Sequence, residues 1–202
     1  MKTVTVPEHF GCIVLAAGAG ARFGEPKASA LLPSGERFLD VIVRAAADAG
    51  ARPIIAVVPE GVEVPAPART VRNGDAKGEQ IVSVRLGLMQ LVGTLAPGAL
   101  IWPVDHPFVA LRSVVAILDG YQRTRAHIVL PTYEGRRGHP AFFDRAVWGE
   151  LMTVEMGGAQ TVVRLFGDRV HEVNVDDSGI LQDIDRRSDM PPGGWRTTDA
   201  IS

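Results

Sequence analysis

The order of elements along the chain predicts an α/β domain with a mainly parallel sheet, on three observations. Short, almost wholly apolar runs alternate with segments of helical period over residues 11–131. Such runs lack the in–out alternation of a half-solvated sheet, so they read as strands covered by helices on both faces. Repeated strand–helix–strand units imply right-handed crossovers, which gather ligand-binding loops at the carboxyl edge of the sheet.

The elements follow in order. Gly11-Cys12-Ile13-Val14 reads as the first strand and runs into a glycine-rich loop ending at Lys27. Residues 38–47 have helical spacing, with Gly50 placed as a C-terminal cap. A second strand is expected over 53–58, a proline-rich loop over 60–68, and a short strand over 69–72. Residues 78–92 read as a helix carrying Ile81, Val84, Leu88 and Leu91 on one side. The run 99–104 is the most strongly buried strand candidate, and it ends at Asp105. A helix over 113–124 and a strand over 127–131 follow. Beyond Gly135 the pattern predicts strands at 139–143, 170–175 and 180–184, with helices at 146–152 and 159–166. Residues 1–190 are expected to form one domain. The remainder, 191–202, opens with Pro191-Pro192-Gly193-Gly194 and reads as a poorly ordered tail.

Composition narrows the function. Lys plus Arg (21) and Asp plus Glu (23) nearly balance, giving a formal charge of −2. A nucleic-acid surface must neutralise many phosphates, so no nucleic-acid partner is expected, whereas a small anion needs only a few local cations. Cys12 is the single cysteine. It forbids an internal disulfide and, inside an apolar strand, reads as an inert buried thiol in a reducing, cytoplasmic setting. Glu8 and His9 interrupt any N-terminal apolar region, and no run approaches the length of a membrane span.

The glycine loop carries the first chemistry. Gly18, Gly20 and Gly24 allow a tight turn and close approach of backbone N–H groups to an anion, while Arg22 and Lys27 add two cations. A free triphosphate fits. The spacing G-x-G-x-x-x-G departs from the dinucleotide fingerprint, which disfavours a dinucleotide oxidoreductase, and no Lys-Ser follows Gly24 as a P-loop requires.

Asp105, in Pro103-Val104-Asp105-His106-Pro107, leaves a buried strand between prolines. Such a carboxylate suits Mg²⁺, which takes one or two carboxylates plus phosphate oxygens; capping of the helix after Pro107 is the other reading. Asp183 and Asp185 end the last predicted strand on one face, and either could be a second metal ligand or a solvated strand end. Arg136-Arg137-Gly138-His139-Pro140, read as a loop after the fifth strand, concentrates two guanidiniums matched to phosphate oxygens; a solvated surface loop is the other reading. Of the five histidines only His106 and His139 lie in these clusters, and no spacing resembles a zinc site.

Taken in order, the glycine loop with Arg22 and Lys27, Pro103-Val104-Asp105, Arg137-Gly138-His139-Pro140 and Asp183-Ile184-Asp185 with Asp189 resemble the motifs of molybdenum-cofactor nucleotidyltransferases of the NTP transferase type. The resemblance implies a three-layer, Rossmann-like nucleotide-diphospho-sugar-transferase fold with a mostly parallel mixed sheet. It implies Mg²⁺-dependent transfer of a nucleotide from a nucleoside triphosphate to a phosphorylated small-molecule acceptor such as molybdopterin, with pyrophosphate released. By the same analogy Leu15, Ala16, Ala17, Gly18, Gly20, Arg22, Lys27 and Ser83 bind the nucleotide, with Arg22, Lys27 and Asp105 catalytic. Asp105 and Asp185 hold the metal, and Arg137, Gly138 and His139 meet the acceptor. The Ala16-Ala17-Gly18 form of the loop looks more like the cytidylyl- and adenylyl-transferring branch, which favours CTP. A molybdoenzyme or its chaperone is the implied protein partner. The competing readings are a sugar-phosphate nucleotidyltransferase and a non-catalytic nucleotide-binding, cofactor-handling protein.

Overall fold

The computed structural model describes residues 10–18, 26–75 and 79–190. Gly20 and Arg22, the tail 191–202 and residues 1–9 lie outside them. Strand β1 (Gly11–Leu15) is wholly buried. Its side chains alternate between two cores: Cys12 and Val14 face one, Ile13 and Leu15 the other. Burial pushes the Cys12 thiol up to about 12, in keeping with an inert core residue.

The first core is closed by helices α1 (Phe38–Asp48) and α3 (Leu111–Thr124), the second by α2 (Gln80–Leu91), α4 (Trp148–Thr153) and α5 (Gly158–Phe166). In α1 the buried side chains are Phe38, Leu39, Ile42, Val43 and Ala46, a single stripe at helical spacing. Full burial of each large member contributes about 1.5–3 kcal/mol. Gly50 ends the helix at φ +87°, and the amide of Ala51 donates back to the carbonyl of Ala46 at 3.0 Å.

Strands β2 (Ile54–Val58), β3 (Arg69–Arg72), β4 (Gly98–Pro103), β5 (Ile128–Tyr133), β6 (Arg136–Arg137), β7 (Ala141–Asp144) and β8 (Val170–Asn174) complete the sheet. Its order is β3-β2-β1-β4-β7-β5-β6, with β8 also beside β5. The pairs β1/β2, β1/β4, β2/β3 and β5/β8 are parallel, and β7 runs antiparallel to both β4 and β5. The sheet is therefore mixed and mostly parallel between two helical layers, a Rossmann-like α/β arrangement. None of its described helices is long and apolar enough to cross a membrane.

Two expectations need correction. The predicted strand over 180–184 is absent: Ser178–Leu181 form a 3-10 turn, and residues 182–184 join no strand of the sheet. Asp177 is the reason. Its buried carboxylate accepts the amides of Gly179 and Ala110 at 2.9 Å and the Ser113 hydroxyl at 2.6 Å, which curls the segment onto the start of α3. Without a strand there, the argument that Asp183 and Asp185 share a strand face lapses. Arg136–Arg137, predicted as loop, instead form a two-residue strand, because a turn through Glu134 (φ +50°) and Gly135 (φ +73°) folds them back on Thr132 and Tyr133.

Candidate active site

Strands β1 and β4 run in register, with Leu15 opposite Pro103, so their loops leave the same edge of the sheet side by side. The amide of Val104 donates to the carbonyl of Leu15 at 3.0 Å. Buried Trp102 then fixes the following turn by donating its indole N–H to the carbonyl of His106 at 3.1 Å. Asp105 sits in this turn. It does not cap α3: the amide of Ala110, the residue before that helix, donates to Asp177.

The opposite wall comes from the far end of the chain. The amide of Ile184 donates to the carbonyl of Asp105 at 2.8 Å, and the Asp189 carboxylate accepts the amides of Asp185 and Arg186 at 3.0 and 2.7 Å. These bonds orient the backbone of Asp185. Lys27 opens a 3-10 turn (Lys27–Ser29) anchored by fully buried Ala28, and its Nζ donates to Asp105 Oδ2 at 3.1 Å and to Asp185 Oδ1 at 2.5 Å. Residues 27, 105 and 185 thus meet at one point. Burial pulls the Lys27 pKa down, but the two carboxylates outweigh it and the net shift is upward, so the ammonium stays charged.

His106 and His139 meet next to this cluster, their ring centroids 4.7 Å apart and tilted by 53°. His106 Nε2 lies 3.9 Å from Asp105 Oδ1, beyond hydrogen-bond reach. Burial lowers both imidazoles, His106 below its usual value and His139 to about 4. Both are neutral at pH 7. Asp105 Oδ1, His106 Nδ1 and His139 Nδ1 are buried with no hydrogen-bond partner among the described residues. Buried polar atoms are normally paired, so three unpaired ones in one corner suggest a site that a ligand completes.

Among the described residues no three His, Cys, Asp or Glu side chains are grouped to hold a metal. Asp105 and Asp185 do supply two hard oxygen donors, one with an unused buried oxygen, as suits a cation whose other ligands are phosphate oxygens and water. The donor set fits Mg²⁺ or a similar divalent ion and has none of the soft ligands a zinc site uses.

The remaining predicted residues are less concentrated. Leu15, Ala16 and Ala17 are buried, and the amide of Ala16 is taken by the carbonyl of Val57 at 2.8 Å. Gly18 is exposed, with open space where a Cβ would stand. Ser83 is buried in α2 and accepts from the amide group of Asn73 at 3.0 Å. Arg137 is half-exposed and engaged: Nε donates to Glu172 Oε1 at 2.7 Å, and Nη2 forms an ion pair with the same oxygen at 2.6 Å. Arg137, Gly138 and His139 line a cleft of about 570 Å³ on the α2–α5 face, floored by Ile81, Val84, Ile101, Leu130 and Phe143 and edged by Gln80, Gln160 and Arg164.

Gly138 is a point of close approach. Its amide donates to the carbonyl of Pro131 at 2.9 Å, and a Cβ there would stand 2.4 Å from the carbonyl oxygen of Ile180. Two residues escape a motif search, Asn73 and Glu172. Asn73 holds Ser83 and accepts the amide of Asp75 at 3.0 Å. Its only sequence signal is position, directly after β3 at the ligand-binding edge of a parallel sheet.

Known structures share this fold. Rv0371c from Mycobacterium tuberculosis H37Rv is 26% identical, with a TM-score of 0.75 over 92% of this chain and 96% of that one. A second structure of Rv0371c, in complex with manganese, is 24% identical at a TM-score of 0.63, covering 91% and 96%. The 2-C-methyl-D-erythritol 4-phosphate cytidylyltransferase of Thermus thermophilus is 20% identical at 0.68, covering 90% and 95%. No curated protein sequence matches the chain. The description "MobA-like NTP transferase domain" matches residues 12–173. The chain belongs to the family of MobA-like NTP transferase domains and is a nucleotidyltransferase.

Proposed function

We propose that the protein transfers a nucleoside monophosphate, CMP from CTP by preference, to a phosphorylated acceptor such as molybdopterin, releasing pyrophosphate with the help of Mg²⁺. The observation that carries this reading is the meeting of Lys27 with Asp105 and Asp185 at the carboxyl edge of the sheet. That cluster joins a triphosphate-binding cation to two oxygen donors for a metal.

In this reaction an acceptor phosphate oxygen attacks the α-phosphorus in line. The new phosphorus–oxygen bond forms as the bond to pyrophosphate breaks, and no covalent enzyme intermediate is needed. Lys27 and Arg22 bind the triphosphate and neutralise charge on the leaving pyrophosphate. Mg²⁺ held by Asp105 and Asp185 would supply further charge neutralisation at the phosphates. Ser83, fixed by Asn73, serves the nucleotide half of the site. Arg137, Gly138 and His139 serve the acceptor in the cleft, where neutral His139 can donate a hydrogen bond to an anion without being titrated. Positioning and electrostatics carry most of the acceleration. A cytoplasmic location, with a molybdoenzyme or its chaperone receiving the product, accords with this chemistry and with the single buried thiol.

The test is pyrophosphate release with CTP, GTP, ATP and UTP against molybdopterin and a set of sugar phosphates, with and without Mg²⁺. Release with CTP and molybdopterin that depends on Mg²⁺ is expected. Turnover only with sugar phosphates would reassign the acceptor, and binding without release in any combination would make the protein a nucleotide-handling module.

A further inference from the structure

We propose that Lys27 is the internal counter-ion of the metal site, occupying the carboxylates until a triphosphate draws it away, so that metal and nucleotide enter together. The inference rests on the assignment of Asp105 and Asp185 as metal carboxylates. Lys27 already holds one oxygen of each, Oδ2 of Asp105 at 3.1 Å and Oδ1 of Asp185 at 2.5 Å, which leaves Asp105 Oδ1 as the buried unpaired one. Mg²⁺ binds carboxylate oxygens at about 2.0–2.1 Å. An ion on these two carboxylates would stand within a few ångströms of the ammonium, where like charges repel strongly.

The net charge points the same way. The Lys27 ammonium offsets part of the negative charge of the two carboxylates, and removing it restores that part to attract a dication. Lys27 is well placed for this role because its side chain is only 15% exposed, which limits screening by water, while Asp105 and Asp185 stay 27% and 40% exposed and open to exchange. A triphosphate changes the balance. Its oxygens offer the ammonium a more negative partner and offer the metal extra ligands, so one guest releases the carboxylates and completes the coordination.

The consequence runs against the usual expectation for removing a binding-site residue. Lys27→Met should bind Mn²⁺ more tightly than the parent when no nucleotide is present, by at least about tenfold, or about 1.4 kcal/mol. Free Mn²⁺ measured by electron paramagnetic resonance reads this directly, and the melting temperature in MgCl₂ gives a second readout: the variant should gain stability and the parent much less. Lys27→Arg keeps the cation and should bind Mn²⁺ as weakly as the parent. Adding Asp105→Asn to Lys27→Met should abolish the gain. If Lys27→Met fails to fold, Lys27→Gln offers a neutral donor to the same carboxylates and should show the same rise. Equal or weaker Mn²⁺ binding in the folded neutral variant overturns the inference. If that happens while turnover still requires Asp105 and Mg²⁺, the metal assignment stands and only the competition is wrong; if no variant binds Mn²⁺ and Asp105→Asn is fully active, both fall.

Discussion

Replacing Gly138 by alanine tests how the far end of the chain is held against the site. The new Cβ would stand 2.4 Å from the Ile180 carbonyl oxygen and 2.8 Å from both its carbonyl carbon and its Cγ1. An ordinary carbon–oxygen contact is about 3.3 Å or more, so the backbone at Ile180 must recede by about 1 Å. That backbone also accepts the amide of His139 at 2.9 Å, and four residues on, Ile184 binds the carbonyl of Asp105. Overpacking of this kind costs about 1–3 kcal/mol, which in a domain of this size lowers Tm by about 2–4 °C per kcal/mol. Carried along to Asp185, a displacement of about 1 Å is worth up to about 100-fold in turnover. Differential scanning calorimetry and pyrophosphate release measure the two effects separately. A variant with the parent's Tm and turnover would refute the packing argument. A lowered Tm with unchanged turnover would refute the positioning of Asp185 through Ile180.

Other perturbations report on other parts of the site. Asp105→Asn should keep the fold, judged by circular dichroism, and lose about 100- to 1,000-fold in turnover, since metal stabilisation of several kcal/mol disappears. Lys27→Ala should weaken triphosphate binding about 10- to 150-fold whatever the base, as calorimetric titration would measure. Arg137→Ala should raise the KM for the acceptor while leaving triphosphate affinity within about twofold, and loss of triphosphate binding would move Arg137 to the nucleotide half. His139 has a folded pKa of about 4 against 6.5 for the free imidazole. Below pH 6.5 the unfolded chain therefore binds more protons, and stability falls as pH drops from 6.5 toward 4. His139→Gln should remove on the order of 2–3 kcal/mol of that fall, read by urea unfolding at about pH 7.5 and about pH 4.5.

The parallel half of the sheet was legible because its signals are local. Ile54–Val58 and Gly98–Pro103 are apolar runs that no other element could bury, and Gly50 marks the end of α1 by its own backbone requirement. The antiparallel insertion of β7 between β4 and β5 was not, because strand direction depends on pairing across the sheet and leaves no periodicity. The segment after Asp177 misled for a related reason. Ile180, Leu181 and Ile184 make the segment apolar enough to read as a strand, yet two side-chain contacts of Asp177 at the start of α3 decide its path. Lys27, Asp105 and Asp185 could each be named from sequence, but not the bonds between them. The pairing of Arg137 with Glu172 was hidden because Glu172 lies on β8 with no motif around it.

The distances along the chain between these groups have a consequence for biogenesis. Lys27 is 78 residues from Asp105 and 158 from Asp185, so the cluster closes only after the two most separated parts of the domain have found each other. Contacts of such high sequence separation form late, because the entropy of closing long loops must be overcome first. A chain emerging from the ribosome can assemble β1, β2 and β4 well before residue 185 exists. During that interval it has Lys27 and Asp105 but lacks Asp185. The proposed centre therefore closes in a single step once residue 185 has joined the fold, and a copy truncated before it lacks one of the two carboxylates that Lys27 bridges.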